Sequence, residues 1–148
     1  TIVREYQQNE FLISTDSTKL QIDVIHNFLK NSYWAKNIPI SIVKNSIENS
    51  FCFGFYHHQN QIGFARLITD FSTFAYLADV FILDEFRGKG LSKWLMKTII
   101  EFPEIQGLRG WMLKTSDAHG LYAKFGFTSP KFPEKIMELS QLPNGYSN

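Results

Sequence analysis

FAYLADVFILDEFRGKGLSKWLMKTIIEFPEIQGLRGWMLK, residues 74–114, decides the fold. Its first ten residues are apolar apart from Asp79, as a strand covered on both faces must be. The loop Asp84-Glu85-Phe86-Arg87-Gly88-Lys89-Gly90 follows. The period then becomes helical: Leu91, Trp94, Leu95, Thr98, Ile99 and Phe102 make one stripe, with Lys93, Lys97 and Glu101 off it. Pro103 and Gly107 end this helix, and residues 108–114 read as another strand. Strand, loop, helix, strand is a crossover, so its two strands run parallel as neighbours or nearly so.

Upstream, Phe51, Phe53 and Phe55 alternate with Cys52, Gly54 and Tyr56, and residues 62–69 return. The pair reads as a hairpin with a loop of about five residues, with Ile62, Phe64 and Arg66 on one face and Gly63, Ala65 and Leu67 on the other. Leu20, Val24, Ile25, Phe28 and Leu29 predict a helix over 20–30, and Ile42, Val43 and Ile47 a shorter one over 41–49. Downstream, residues 117–125 read as a short helix closed by Gly126, and Phe127 onward as a final extended segment. The expected fold is α/β (α+β): a mixed, mostly antiparallel sheet with a parallel crossover pair at its centre and helices on both faces, in one domain spanning residues 1–148.

The chain's 148 residues suit one core. Its 15 Lys+Arg against 14 Asp+Glu give no general attraction to nucleic acid or anionic membrane. Aromatic residues make up 16%, and seven of the 14 Phe fall between residues 51 and 81, which places the core there. One cysteine, Cys52, leaves no internal disulfide and no Cys-rich zinc site, and reads as a covered strand residue. His57 and His58 lack a third ligand at a metal-binding spacing, so no metal is expected. No apolar run reaches the ~18 residues that span a bilayer, and the first residues lack a signal-peptide pattern. The expectation is a cytoplasmic protein without membrane or nucleic-acid partners.

Arg87-Gly88-Lys89-Gly90 lies between a buried strand and a helix, where glycines let backbone approach a ligand and free N–H groups attract anions. It matches neither the P-loop nor the dinucleotide fingerprint, because Lys93 stands where the latter needs its third glycine. The run Arg87-Gly88-Lys89-Gly90-Leu91-Ser92 resembles the coenzyme-A loop of the GNAT superfamily of acetyl-CoA-dependent N-acyltransferases. Residues 118–127, AHGLYAKFGF, resemble that family's Ala-x-x-Leu-Tyr-x-Lys-x-Gly-Phe segment.

The resemblance implies an acetyl-CoA co-substrate. Its pyrophosphate would rest on the amides of Gly88, Lys89, Gly90, Leu91 and Ser92, with charge from Arg87 or Lys89. Its pantetheine arm would run beside Val80, Phe81 and Ile82 like an added strand. The thioester would lie where strand 74–83 splays from strand 108–114. Tyr122 matches the family's general acid, which protonates the departing thiolate when the amine attacks directly in a ternary complex. Thr115 stands where the family commonly has Asn, and Thr115, Ser116 or Asp117 could fill that role. Asp79 suits either a base or binder of a cationic amine, or a structural carboxylate paired with Arg66. His119 reads as a proton relay or a surface residue, and Asp117 as a helix cap. Tyr33 and Trp34 border the acceptor pocket, as a wall or as packing, while Phe81 and Phe74 are candidates to line the cleft. The leading function is acetyl transfer to a primary amine of a small molecule or protein, and a homodimer is compatible with it. The alternative is a non-catalytic acyl-CoA-binding or regulatory module.

Overall fold

A computed structural model describes residues 2–147. Six strands form one sheet in the order β1 (Glu5–Gln8), β2 (Phe11–Ser14), β3 (Phe51–His57), β4 (Asn60–Thr69), β5 (Phe74–Ile82), β6 (Gly110–Leu113). Neighbours are antiparallel except β5 and β6, which are parallel as the crossover requires. The helices are α1 (Ile22–Lys30), α2 (Ile40–Glu48), α3 (Leu91–Ile100) and α4 (His119–Ala123).

Alternation along β3 sorts two cores. Phe53 and Phe55 face α3, where Leu91, Leu95, Met96 and Ile99 close over them with Leu67 and Leu77. Cys52 faces the other way, toward Ile25 and Leu29 of α1 and Val43 of α2, together with Phe64 and Phe81. Helices on both faces follow from apolar residues on both sides of the central strands. Burial pushes the Cys52 thiol up to about 12, which fits a packing role.

Four details differ from the sequence-based expectation. The parallel pair ends the sheet rather than occupying its centre, because among the described residues nothing after Phe127 forms a strand that pairs with the far side of β6. The β3–β4 hairpin turns through two residues, not five; His58 takes a left-handed φ of 56° and lets His57 pair with Asn60. A register shift there leaves Ile62 between Gln61, opposite Tyr56, and Gly63, opposite Phe55. The extra residue turns Ile62 to the α3 side, away from Phe64. Finally, β1 and β2 form an N-terminal hairpin around Asn9, whose φ is 55°. The sequence of β1, EYQQ, is polar and mostly exposed, so it carries no apolar alternation.

A second bulge shapes β5. Phe64 pairs with Phe81 and Arg66 with Ala78, so Asp79 and Val80 together oppose Ala65. Asp79 has a φ of 54° and redirects the strand. Gly63 lies beside this bulge. A Cβ there would sit 2.7 Å from Ile82 Cδ1 and 2.9 Å from the Phe81 carbonyl oxygen. Because one obstacle is backbone, Gly63→Ala is expected to cost about 1–3 kcal/mol. Urea unfolding measures this, and an unchanged midpoint contradicts the tight approach.

Candidate active site

Pairing between β5 and β6 runs from Phe74–Gly110 to Leu77–Leu113 and stops. Beyond it the bulge carries β5 one way, while the chain after β6 turns into the loop before α4. A cleft of about 550 Å³ opens in the fork, with Ala78, Asp79 and Val80 on one wall and Leu113 to Ala118 on the other. Tyr122 reaches it from α4, and Tyr33 and Trp34 from the loop after α1.

The bulge is held by side chains. Arg66 Nε donates to Asp79 Oδ2 at 2.9 Å, and Trp34 Nε1 donates to Asp79 Oδ1 at 2.9 Å. Arg66 Nη1 also donates to Ser50 Oγ at 3.0 Å. The Arg66 and Asp79 side chains are only 17% and 12% exposed, so the pair is largely desolvated. Both Asp79 oxygens are engaged, which supplies the structural reading of this residue. On the opposite wall the Ser116 amide donates to the Tyr33 hydroxyl at 3.2 Å. Tyr33 and Trp34 meet edge to face at 5.1 Å, so this aromatic pair is tied to both walls of the cleft.

Thr115 Oγ1 accepts from the amides of Ala118 at 3.0 Å and Asp117 at 3.4 Å. Thr115, rather than Asp117, therefore organises the chain leading into α4. The residue before α4 is Ala118, and its side chain caps nothing. The Tyr122 ring packs edge to face on Phe127 at 6.0 Å. Burial, and after it the neighbouring Tyr33 and Asp117, push the Tyr122 phenol up to about 12. His119 is exposed and stands away from this cleft, beside the outer edge of β6. Phe81 does not line the cleft either; its ring stacks on Phe28 of α1 at 4.0 Å and 7°. Phe74, partly exposed at the start of β5, is also outside it.

The glycine turn sits at the start of α3. Gly88 and Gly90 have φ of 80° and 76°, and a Cβ on either would meet nothing within 4 Å. Space is thus open before the helix. The first backbone bond into α3 is Trp94 N–H to the Gly90 carbonyl, and the amides of residues 88–93 have no partner among the described residues. These free donors at a positive helix end suit a phosphate. Arg87 turns back, with Nε on the Ile82 carbonyl at 3.2 Å and the guanidinium 3.2 Å from Asp84. The Lys89 ammonium lies 5.7 Å over the Phe86 ring. Along β5, Val80 lines the cleft, whereas Phe81 and Ile82 are buried and lie outside its lining.

Sequence reasoning did not single out Lys93 and Lys124 as a pair. They meet between the first turn of α3 and the end of α4, where side-chain contact with Lys93 and its charge hold Lys124 below the usual lysine range. Among the described residues neither ammonium has a carboxylate partner, and beside the free helix amides they form an anion-attracting corner. Lys93 directly follows the Arg87–Ser92 run and Lys124 lies two residues after Tyr122, so both were visible, but their meeting depended on the packing of α4.

The comparisons with known proteins agree with this geometry. A family model described as an acetyltransferase (GNAT) domain matches residues 48–129. A Gibberella zeae protein that carries an acetyltransferase name is 31% identical over 147 residues, covering 82% of this chain and 80% of that one. A crystal structure from Xanthomonas campestris pv. campestris, named for an acetyltransferase of the same family, is 50% identical with a TM-score of 0.86, covering 88% of this chain and 92% of the other. A GNAT family acetyltransferase from Elizabethkingia anophelis, solved with acetyl-CoA bound, shares the fold at a TM-score of 0.64 and 14% identity, with 88% of each chain covered.

Asp79→Ala leaves Arg66 desolvated without its partner and releases the Trp34 indole. The expected cost is about 3 kcal/mol in urea unfolding, with a shift in tryptophan emission of the folded protein. A stability within error of the parent protein contradicts a structural role for the pair.

Proposed function

Because this chain belongs to the GNAT family of acetyltransferases, we propose that it moves the acetyl group of acetyl-CoA directly to an uncharged primary amine in a ternary complex, with Tyr122 as the acid. Residues 1–148 act as one catalytic domain in this reading. The observation that carries it is the alignment of three features along one path: free amides at residues 88–92, the open edge of β5 beyond Leu77, and the Tyr122 phenol in the fork.

Acetyl-CoA fits that path. Its pyrophosphate takes the free amides of Gly88 to Ser92, and the Lys93–Lys124 corner supplies the positive charge. Arg87 and Lys89 flank the turn; Arg87 braces it through the Ile82 carbonyl. The pantetheine amides pair with backbone groups of β5 around Val80 and Phe81, which β6 leaves open, with Ile82 beside them, its carbonyl held by Arg87. Thr115 holds the start of α4, the structural half of the part its family position implies.

The chemistry then follows. The amine nitrogen attacks the thioester carbon, the C–S bond breaks, and the sulfur takes a proton from the Tyr122 hydroxyl; the nitrogen gives up its surplus proton to solvent in the open cleft, and solvent returns a proton to the Tyr122 phenolate. A phenol with a pKa near 12 remains protonated throughout the neutral range. In this reading a backbone N–H of the fork donates to the oxyanion. The acceptor, a small molecule or a protein amine, comes in past Tyr33 and Trp34. Asp79 positions Trp34 and Arg66 around it.

Tyr122→Phe should lower kcat by on the order of 10²-fold while leaving KM for acetyl-CoA nearly unchanged. Thiol release with a panel of amines measures both, and an unchanged kcat removes Tyr122 from the mechanism. Lys93→Ala and Lys124→Ala should instead raise KM for acetyl-CoA on the order of tenfold, as loss of one charge-assisted phosphate contact does, with kcat retained. The pH profile tests the protonation states. Rate should rise with pH as the amine loses its proton, and show no fall from loss of the acid before roughly pH 10, the ordinary phenol value that burial raises here. A fall near neutrality that is absent in Tyr122→Phe contradicts the assignment.

A further inference from the structure

The charged side chains that line the fork cancel, with one exception. Arg66 is bound to Asp79 at 2.9 Å, and Lys114 is bound to Glu138 at 2.6 Å. Asp117 also lines the cleft, and among the described residues its carboxylate has no hydrogen-bond or ion-pair partner. The sequence offers Asp117 as a helix cap, yet it caps nothing: Thr115 Oγ1 takes the amides before α4, and Asp117 contributes only its own N–H to that turn. This carboxylate therefore has no structural task. It nonetheless acts on the reacting end of the cleft, because its charge is among the causes that raise the Tyr122 phenol, after burial and Tyr33.

Aromatic faces stand beside it. The Tyr33 hydroxyl accepts from the Ser116 amide at 3.2 Å, which ties Tyr33 to the residue next to Asp117. Tyr33 and Trp34 are 61% and 43% exposed although both are large rings lining a cleft, so their surfaces are open to a ligand. An unpaired carboxylate next to open tyrosine and indole rings is the chemistry that recognises an organic cation. Ala78, Val80 and Leu113 give the same cleft apolar lining suited to a short methylene chain.

We propose, on the basis of the transfer reaction described above, that Asp117 with Tyr33 and Trp34 seats a second cationic group of the acceptor, which makes the substrate a short diamine rather than a monoamine or an amino acid. Such a molecule can present one uncharged nitrogen to the thioester while the other stays charged on Asp117. An acceptor ending in a carboxylate meets Asp117 as a like charge and is disfavoured. Asp79, the other carboxylate of the fork, is unavailable for this role because Arg66 and Trp34 occupy both of its oxygens.

The test compares putrescine, butylamine and γ-aminobutyrate, which share a short carbon chain and end in an ammonium, a methyl and a carboxylate. Thiol release gives kcat/KM for each, and equilibrium dialysis of the full chain gives their binding without turnover. Asp117 is exposed, so Asp117→Asn and Asp117→Arg should fold as the parent does, with circular dichroism as the control. The parent should favour putrescine in both measurements. The ratio of putrescine to butylamine should fall on the order of fivefold in Asp117→Asn, as loss of one exposed charge pair does. Asp117→Arg should favour γ-aminobutyrate over putrescine. A putrescine preference that Asp117→Asn leaves intact, or γ-aminobutyrate bound as tightly as putrescine by the parent, overturns the seat. Thiol release with butylamine and no preference for the diamine overturns the seat but not the transfer. Selective putrescine binding that Asp117→Asn weakens, with no thiol release from any amine, supports the seat and overturns the transfer.

Discussion

The limited pairing of β5 with β6 is the constraint on which the rest depends. Four register positions join the two strands, and then the bulge at Asp79 and Val80 turns β5 away. An unbulged β5 would let β6 continue and leave no fork. The left-handed backbone at Asp79 is held by two partners from different parts of the chain, Arg66 on β4 and Trp34 after α1. One carboxylate thus fixes the strand's bend and the position of the Trp34 indole together. That division explains why a charge sits inside an otherwise apolar strand: the fork needs a polar pin where the ladder is interrupted.

The electrostatics of the fork divide by distance from α3. Near the helix start are unpaired amides and the two lysines of α3 and the α4 end, all suited to negative charge. Farther in, Arg66 pairs with Asp79, while burial and the charge of Asp117 raise the Tyr122 phenol above its ordinary value. An anionic carrier held at one end and a proton donor at the other is what transfer from a thioester requires.

Much of this was legible in the order of residues. The crossover was readable because its strand and helix have unmistakable periods, and the glycine turn because only a backbone needing positive φ uses Gly88 and Gly90 together. Tyr122 and the loop were readable through a family resemblance that the family model and the 50% identical structure now carry. What escaped had physical causes. The first hairpin is polar on an edge strand, so alternation could not reveal it. Ile62 changed face because a single inserted residue reverses every later side chain. Phe81 looked like a cleft residue, yet the bulge between it and Ala78 sends its ring beneath α1. The final extended segment expected after Phe127 forms no strand among the described residues, so β6 ends the sheet.

The central claim is that acetyl-CoA lies along the open edge of β5 with its phosphates on the α3 turn. Amide hydrogen exchange of the full chain with and without CoA tests it most directly. The account predicts new protection confined to residues 78–82 and 88–93, with the β1–β2 hairpin and α2 unchanged. Protection centred instead on residues 111–115 and 125–131, or none at saturating CoA, would contradict it.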